Sequence, residues 1–178
     1  MVSCPEEEMR CSLIIKLFDS QMKPKTELIA AIGEATRLFQ DSTDAFDDAA
    51  CAALGINRTD LKCLGMIVEA NSISAGELAA GMGLTRGAMT TALDRIERAG
   101  YARRVADPDD RRGIRVELTP SCMRSLEAIW GGIRREGEAM MSGYTAAELA
   151  TVLRFIQEAR ALQQRDTQRV RKLKLGNT

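Results

Sequence analysis

Residues 84–119 read LTRGAMTTALDRIERAGYARRVADPDDRRGIRVELT, and the fold turns on how this stretch is parsed. Met89, Leu93 and Ile96 fall at i, i+4 and i+7, so one stripe of a helix packs inward, and Thr85 stands where a hydroxyl caps the first turn. The opposite face carries Arg86, Gly87, Thr90, Thr91, Asp94, Arg95 and Arg98. Glycine in a helix costs about 1 kcal/mol relative to alanine, so Gly87 in the opening turn counts against the helix unless something must approach it closely. After Gly100, a natural helix stop, Tyr101–Ala106 and Ile114–Leu118 read as two strands, with Val116 and Leu118 alternating against Arg115 and Glu117. Between them residues 107–113, DPDDRRG, are turn-forming, with Arg111 and Arg112 adjacent at the tip.

Working outward, Ser74-Ala75-Gly76-Glu77 is a capping box that opens a short helix with Leu78, Ala79 and Met82 on its apolar face. Gly81-Met82-Gly83 supplies the tight turn that follows. Helix, glycine turn, Arg/Thr helix and Arg-rich hairpin together make a winged helix-turn-helix. In a major groove the first turn of the second helix comes nearest the base edges. There Arg86 pairs with guanine, and threonine side chains bond either bases or phosphates. An aspartate in the hairpin tip can fix one guanidinium through a bidentate pair, leaving the other arginine for the negative potential of a minor groove. The candidate DNA-contacting residues are therefore Thr85, Arg86, Gly87, Thr90, Thr91, Arg95, Arg111 and Arg112. The plainer readings are a solvated helix face and an ordinary charged hairpin; the agreement of neighbouring elements weighs against both.

The stretch Asp107-Pro108-Asp109-Asp110-Arg111-Arg112-Gly113, closing through Val116-Glu117-Leu118-Thr119, resembles the wing of the multiple antibiotic resistance regulator (MarR) family. Gly87-Ala88-Met89-Thr90 with Leu93-Asp94-Arg95-Ile96 and Gly100 is similar to that family's recognition helix. The resemblance runs from Glu27 to Leu162. It implies that Asp110 orients the wing arginines, that Arg112 reaches the minor groove, and that Arg95 contributes to DNA contact or local bracing. The chain departs from the pattern at Cys122, where the family usually has glycine shortly after the Leu-Thr pair.

The chain has 178 residues, enough for one domain with a real core, and 25 basic residues balance 25 acidic ones. The distribution is uneven. From Thr85 to Arg115 eight arginines face five acids, a local +3, while from Glu27 to Asp60 seven acids face two arginines, a local −5. Such polarity presents one basic face to phosphates and keeps the remaining surface repulsive to DNA. No apolar run is long enough for a membrane span, and Glu6, Glu7 and Glu8 stand where a signal peptide wants positive charge. A cytoplasmic protein with no membrane partner is expected.

The flanks read as helices. Leu28, Ile32, Ala35, Phe39 and Phe46 follow helical spacing, Asn57 with Asp60 caps the next helix, and Thr119-Pro120 starts another with Met123, Leu126, Trp130 and Ile133. Thr145-Ala146-Ala147-Glu148 opens a last helix with Leu149, Val152, Leu153, Ile156 and Leu162. The terminal helices find no partner in one winged unit, so a second copy is expected to cover them in a two-fold homodimer. The alternative is that these stripes complete a monomeric core. The division expected is an N-terminal extension over 1–24, an N-terminal helix of the dimerisation region over 25–56 and the winged helix-turn-helix DNA-binding domain over 57–119. C-terminal dimerisation helices over 120–170 and a tail over 171–178 follow.

Resemblance to the family implies a repressor released by a small-molecule effector, held in a cleft between dimer helices and reader, or by an oxidant. Phe46, Met66, Met123 and Trp130 are the candidate lining, set against the plainer reading of a helical apolar stripe as core. Five cysteines, 4, 11, 51, 63 and 122, show no Cys-x-x-Cys spacing, so a disulfide framework is not expected. Cys63 reads as a small buried hydrophobe, and Cys4 and Cys11, in the extension, are the candidate redox pair. With no histidine, the usual proton shuttle and metal ligand are missing. No Walker loop or nucleophile elbow appears either. The chain is thus read as no enzyme, with no catalytic residue, no cofactor and no metal site. The competing class is a winged-helix module used for protein contact without DNA binding, which predicts no salt-dependent affinity for DNA. The segment Arg160–Lys174 holds six basic residues and one acid. It reads as a solvated helix end, with a supplementary phosphate contact as the alternative.

Overall fold

Among the described residues five helices begin where a side-chain oxygen accepts a backbone N–H that the first turn leaves over. In the computed structural model, which describes residues 24–108 and 113–173, α1 spans Lys25–Leu54 and α2 spans Arg58–Ala70. The chain continues through β1 (Ile73–Ser74), α3 (Ala75–Met82), α4 (Arg86–Arg98), β2 (Ala102–Ala106), β3 (Ile114–Leu118), α5 (Pro120–Met141) and α6 (Ala146–Val170). It divides into two compact units after Gly65.

In the first unit the Asn57 Oδ1 accepts the Asp60 N–H at 2.9 Å and caps α2, as its spacing predicts. The Arg58 guanidinium reaches back to α1, meeting Asp44 Oδ1 at 2.8 Å and Asp48 Oδ1 at 2.7 Å. This pairing holds the Asp48 carboxyl below its ordinary range. Among the described residues Ala50, Cys51, Leu54, Cys63 and Leu64 are the buried apolar ones of this unit.

In the second unit the three strands form an antiparallel sheet ordered β1-β3-β2. Ala102 pairs with Leu118, Arg104 with Val116 and Ala106 with Ile114, so these side chains share one face, and Arg103 opposite Glu117 lies on the other. Helix α3 packs on α4, β1 and β3, and α4 packs on β2. Leu78, Met89, Leu93, Ile96, Val116 and Cys122 form the heart of this core, each with at most 1% of its surface exposed. The stripe of Met89, Leu93 and Ile96 is inward as its spacing predicts, with Ala92 beside it. Cys122 takes the place of the expected glycine without disturbing α5. Pro120 opens that helix, and Thr119 Oγ1 accepts the Cys122 N–H at 3.1 Å.

Two details differ from the sequence reading. Helix α3 runs through Gly81 and Met82, and Gly83 alone turns the chain, at φ +67°, a conformation that a Cβ disfavours. Tyr101 belongs to the turn before β2. The long flanking helices are nearly bare. Phe39 on α1 is 73% exposed, and α6 has no buried residue along its 25 positions.

Candidate nucleic-acid interface

Helix α4 is set by local chemistry before tertiary contacts act. Thr85 Oγ1 accepts the Ala88 N–H at 3.2 Å, which places Arg86 and Gly87 in the first turn, both exposed. A Cβ built on Gly87 meets nothing within 4 Å. Neither packing nor backbone conformation within the chain therefore demands a glycine there.

Thr90 Oγ1 donates to the Arg86 carbonyl at 3.0 Å, and Thr91 Oγ1 donates to the Gly87 carbonyl at 3.1 Å. With their protons committed to the helix, these threonines turn lone pairs and methyl groups outward. That suits a base amino group or a thymine methyl better than a phosphate, which only accepts, and so narrows the broader sequence expectation. Arg95 is half-buried and Arg98 exposed. Arg86, Gly87, Thr90 and Thr91 thus lie together at the exposed N-terminal half of one helix, as expected.

The hairpin is anchored at its root. The Asp107 N–H donates to the Gly113 carbonyl at 3.0 Å, closing it below the tip. Arg115 Nε donates to Ser72 Oγ at 3.0 Å and a second nitrogen to the Ser72 carbonyl, while Nη1 lies 3.5 Å from Asp107 Oδ2. Arg103 pairs with Glu117 at 3.1 Å across the strands. Arg104 Nη2 meets Asp94 Oδ1 at 2.8 Å and its Nη1 meets Glu97 Oε2, both acids belonging to α4. Among the described residues Arg103, Arg104 and Arg115 are therefore committed to structure within the reader, which the bare charge count does not reveal. The sequence signal for Arg104 is its register opposite Val116 together with two acids one turn apart on the helix before it. Arg111, Arg112 and the orienting Asp110 lie outside the described residues, as do Cys4 and Cys11.

Of the proposed cleft residues, Phe46 is half-buried on α1 in the first unit. In the second unit Met66 lays its thioether against Gly81 of α3, while Met123, 51% exposed, and half-buried Trp130 lie two turns apart on α5. Burial raises the Cys51 thiol above its ordinary range and pushes that of Cys122 up to about 11, so neither forms a thiolate readily at neutral pH. Among the described residues no group of three or more acids and cysteines is placed to hold a metal ion, and no helix is long and apolar enough to cross a membrane.

The geometry is that of known proteins. A MarR family model matches residues 56–114. An uncharacterized HTH-type transcriptional regulator of Bacillus subtilis, YcgE, is 29% identical over 152 residues, covering 85% of this chain and 99% of the relative. The multiple antibiotic resistance protein MarR of Salmonella typhimurium is 31% identical over 102 residues, covering 56% of this chain and 71% of the relative. The chain belongs to the MarR family. Solved MarR-type structures share its fold. A mutant MepR from a multidrug resistant S. aureus clinical isolate superposes with a TM-score of 0.60 at 16% identity, covering 74% of this chain and 96% of that one. YusO of Bacillus subtilis gives 0.55 at 19%, covering 78% and 99%. Membership in the MarR family makes the chain a transcription regulator and not an enzyme, and identifies α3 and α4 as its helix-turn-helix, followed by the hairpin wing.

Proposed function

We propose that this MarR-type regulator is a cytoplasmic homodimeric repressor that reads a near-palindromic operator in double-stranded DNA and is released by a small-molecule effector or an oxidant. The observation that carries the reading is the exposed opening of α4, where Arg86 and Gly87 precede two threonines whose protons are already used. Among similar folds, a second MepR mutant is described as bound to an oligodeoxyribonucleotide, with a TM-score of 0.52. In the proposed complex Thr85, Arg86, Gly87, Thr90, Thr91 and Arg95 face a major groove, while Arg111 and Arg112, oriented by Asp110, serve the wing.

Two readers related by a two-fold axis and set about 34 Å apart meet successive major grooves. The dimer is supported by the apolar residues left bare on α1, α5 and α6, because a 25-residue helix with no buried side chain gains little stability by itself. Phe46, Met66, Met123 and Trp130 are proposed to line the effector cleft, and Cys4 with Cys11 the oxidant site.

The test is selection of bound genomic fragments, followed by titration against salt. Each phosphate contact contributes about 0.9 to the log-log slope, and a flat slope would establish the protein-contact module instead. On the selected operator, Arg86→Ala is expected to relax specificity at one base pair and Arg112→Ala to weaken the wing contact, each by about 1–3 kcal/mol. Unchanged affinity in both variants would defeat the residue assignment.

A further inference from the structure

We propose that Arg104 is a positioning residue for DNA reading, the side chain that holds α4 and the wing in one fixed relation so that both engage the duplex together. This rests on the DNA-reading function proposed above. By register Arg104 shares the sheet face of Ala102 and lies directly opposite Val116, whose surface is fully buried. The cation there stands at the exposed margin of the face, its side chain 33% exposed, and is held by its pairing.

Both partners come from the reading helix. Asp94 and Glu97 lie one turn apart on α4, and the planar fork of the guanidinium spans them, Nη2 to Asp94 Oδ1 at 2.8 Å and Nη1 to Glu97 Oε2. The other oxygen of Glu97 accepts the backbone N–H of Arg104 at 2.9 Å. One carboxylate therefore grips the strand by its main chain and its side chain at once. Without these bonds, the covalent link between α4 and β2 is the short turn through Ala99, Gly100 and Tyr101, with Gly100 at φ +77°. Arg104 also offsets one of two negative charges on a helix that faces phosphates. Lysine keeps that charge but, as a single point donor, cannot span both carboxylates in fixed geometry.

The experiment compares the full-length wild type with Arg104→Lys, Asp94→Asn and Glu97→Gln. Each is titrated on the selected operator, on a scrambled duplex, and on an operator with one base pair inserted between the segments protected by helix and wing. Melting temperature and salt slope are recorded alongside. For folded Arg104→Lys the expected result is a wild-type salt slope on scrambled DNA and an operator-to-scrambled ratio reduced about tenfold or more, with weaker rejection of the inserted base pair. Glu97→Gln, which loosens the same grip while removing an acid, is expected to bind scrambled DNA more tightly and still lose the ratio. A ratio and an insertion penalty within about twofold of wild type in folded variants overturn the proposal, as does an equal loss on all three duplexes. If Arg104→Lys does not fold, Asp94→Asn and Glu97→Gln decide by the same criteria. Failure of the wild type to bind any duplex refutes the DNA-reading function itself, an outcome distinct from wild-type binding with unaltered variants.

Discussion

Replacing Gly87 by alanine separates what the fold needs from what the function needs. The site is exposed, in the first turn of α4, and the added methyl meets nothing within 4 Å. Because the backbone is helical there, alanine fits without strain and narrows the unfolded ensemble, a gain of about 0.5–1 kcal/mol. For a chain of this size each kcal/mol moves the midpoint by roughly 2–4 °C, so the variant is expected to melt about 1–4 °C higher than wild type. In the proposed complex the same methyl stands between the helix and the base edges and keeps the first turn out of the groove. Operator affinity is therefore expected to fall about tenfold or more, equivalent to 1.4 kcal/mol or above, against the direction of the stability change. Differential scanning calorimetry and fluorescence anisotropy at one salt concentration measure both quantities on the same preparation. A higher midpoint with unchanged or tighter binding would remove Gly87 from the interface. A lower midpoint would show that the helix itself requires the glycine.

Thr119→Ala removes both the acceptor that caps α5 and the donor to the Gly100 carbonyl at 2.7 Å, and should destabilise by about 1–2 kcal/mol, with Thr119→Ser recovering most of it in urea titrations. The capping boxes lower the carboxyl of Glu77 through its bonds with Ser74, backbone first, and that of Glu148 through its bonds with Thr145, side chain first. Their contribution is therefore complete above the ordinary value of 4.5 and lost as pH falls through the lowered ones. The melting temperature of a Glu77→Gln, Glu148→Gln double variant should fall less steeply than wild type over that acid range, and parallel curves would refute the linkage. Leu153, 57% exposed on α6, is expected to lie in the dimer contact. Leu153→Asp should then sediment as a single protomer and lose operator affinity, while an unchanged sedimentation coefficient would move the interface elsewhere.

What the sequence made legible was local. The boxes at Ser74 and Thr145, the cap at Thr85 and the Thr119-Pro120 start each lie within three or four residues of the N–H they satisfy, so spacing alone reveals them. The inward stripe of α4 was legible because period 3.6 repeats over 13 residues. Strand β1 escaped because two residues cannot display alternation; it exists through pairing with β3, Ile73 opposite Val116. The roles of Arg104 and Arg115 escaped for a related reason. Both sit in a run rich in arginine, and only strand register and the fold of α4 and Ser72 decide which guanidinium is spent on structure. Arg58, bridging Asp44 and Asp48, is likewise settled by the turn between two helices rather than by any local pattern.

One threonine joins the hairpin to the helix that follows it. Thr119 bonds the Tyr101 and Gly100 carbonyls on the incoming side and seats the first turn of α5 on the outgoing side. That makes α5 a lever arm with its fulcrum at the foot of the wing. Its 22 residues extend about 33 Å, so a swing of about 5° at the fulcrum carries the distal end through roughly 3 Å. In the proposed complex, a hairpin bent to suit one duplex would carry the exposed Met140 and Met141 at the distal end of α5 through that distance.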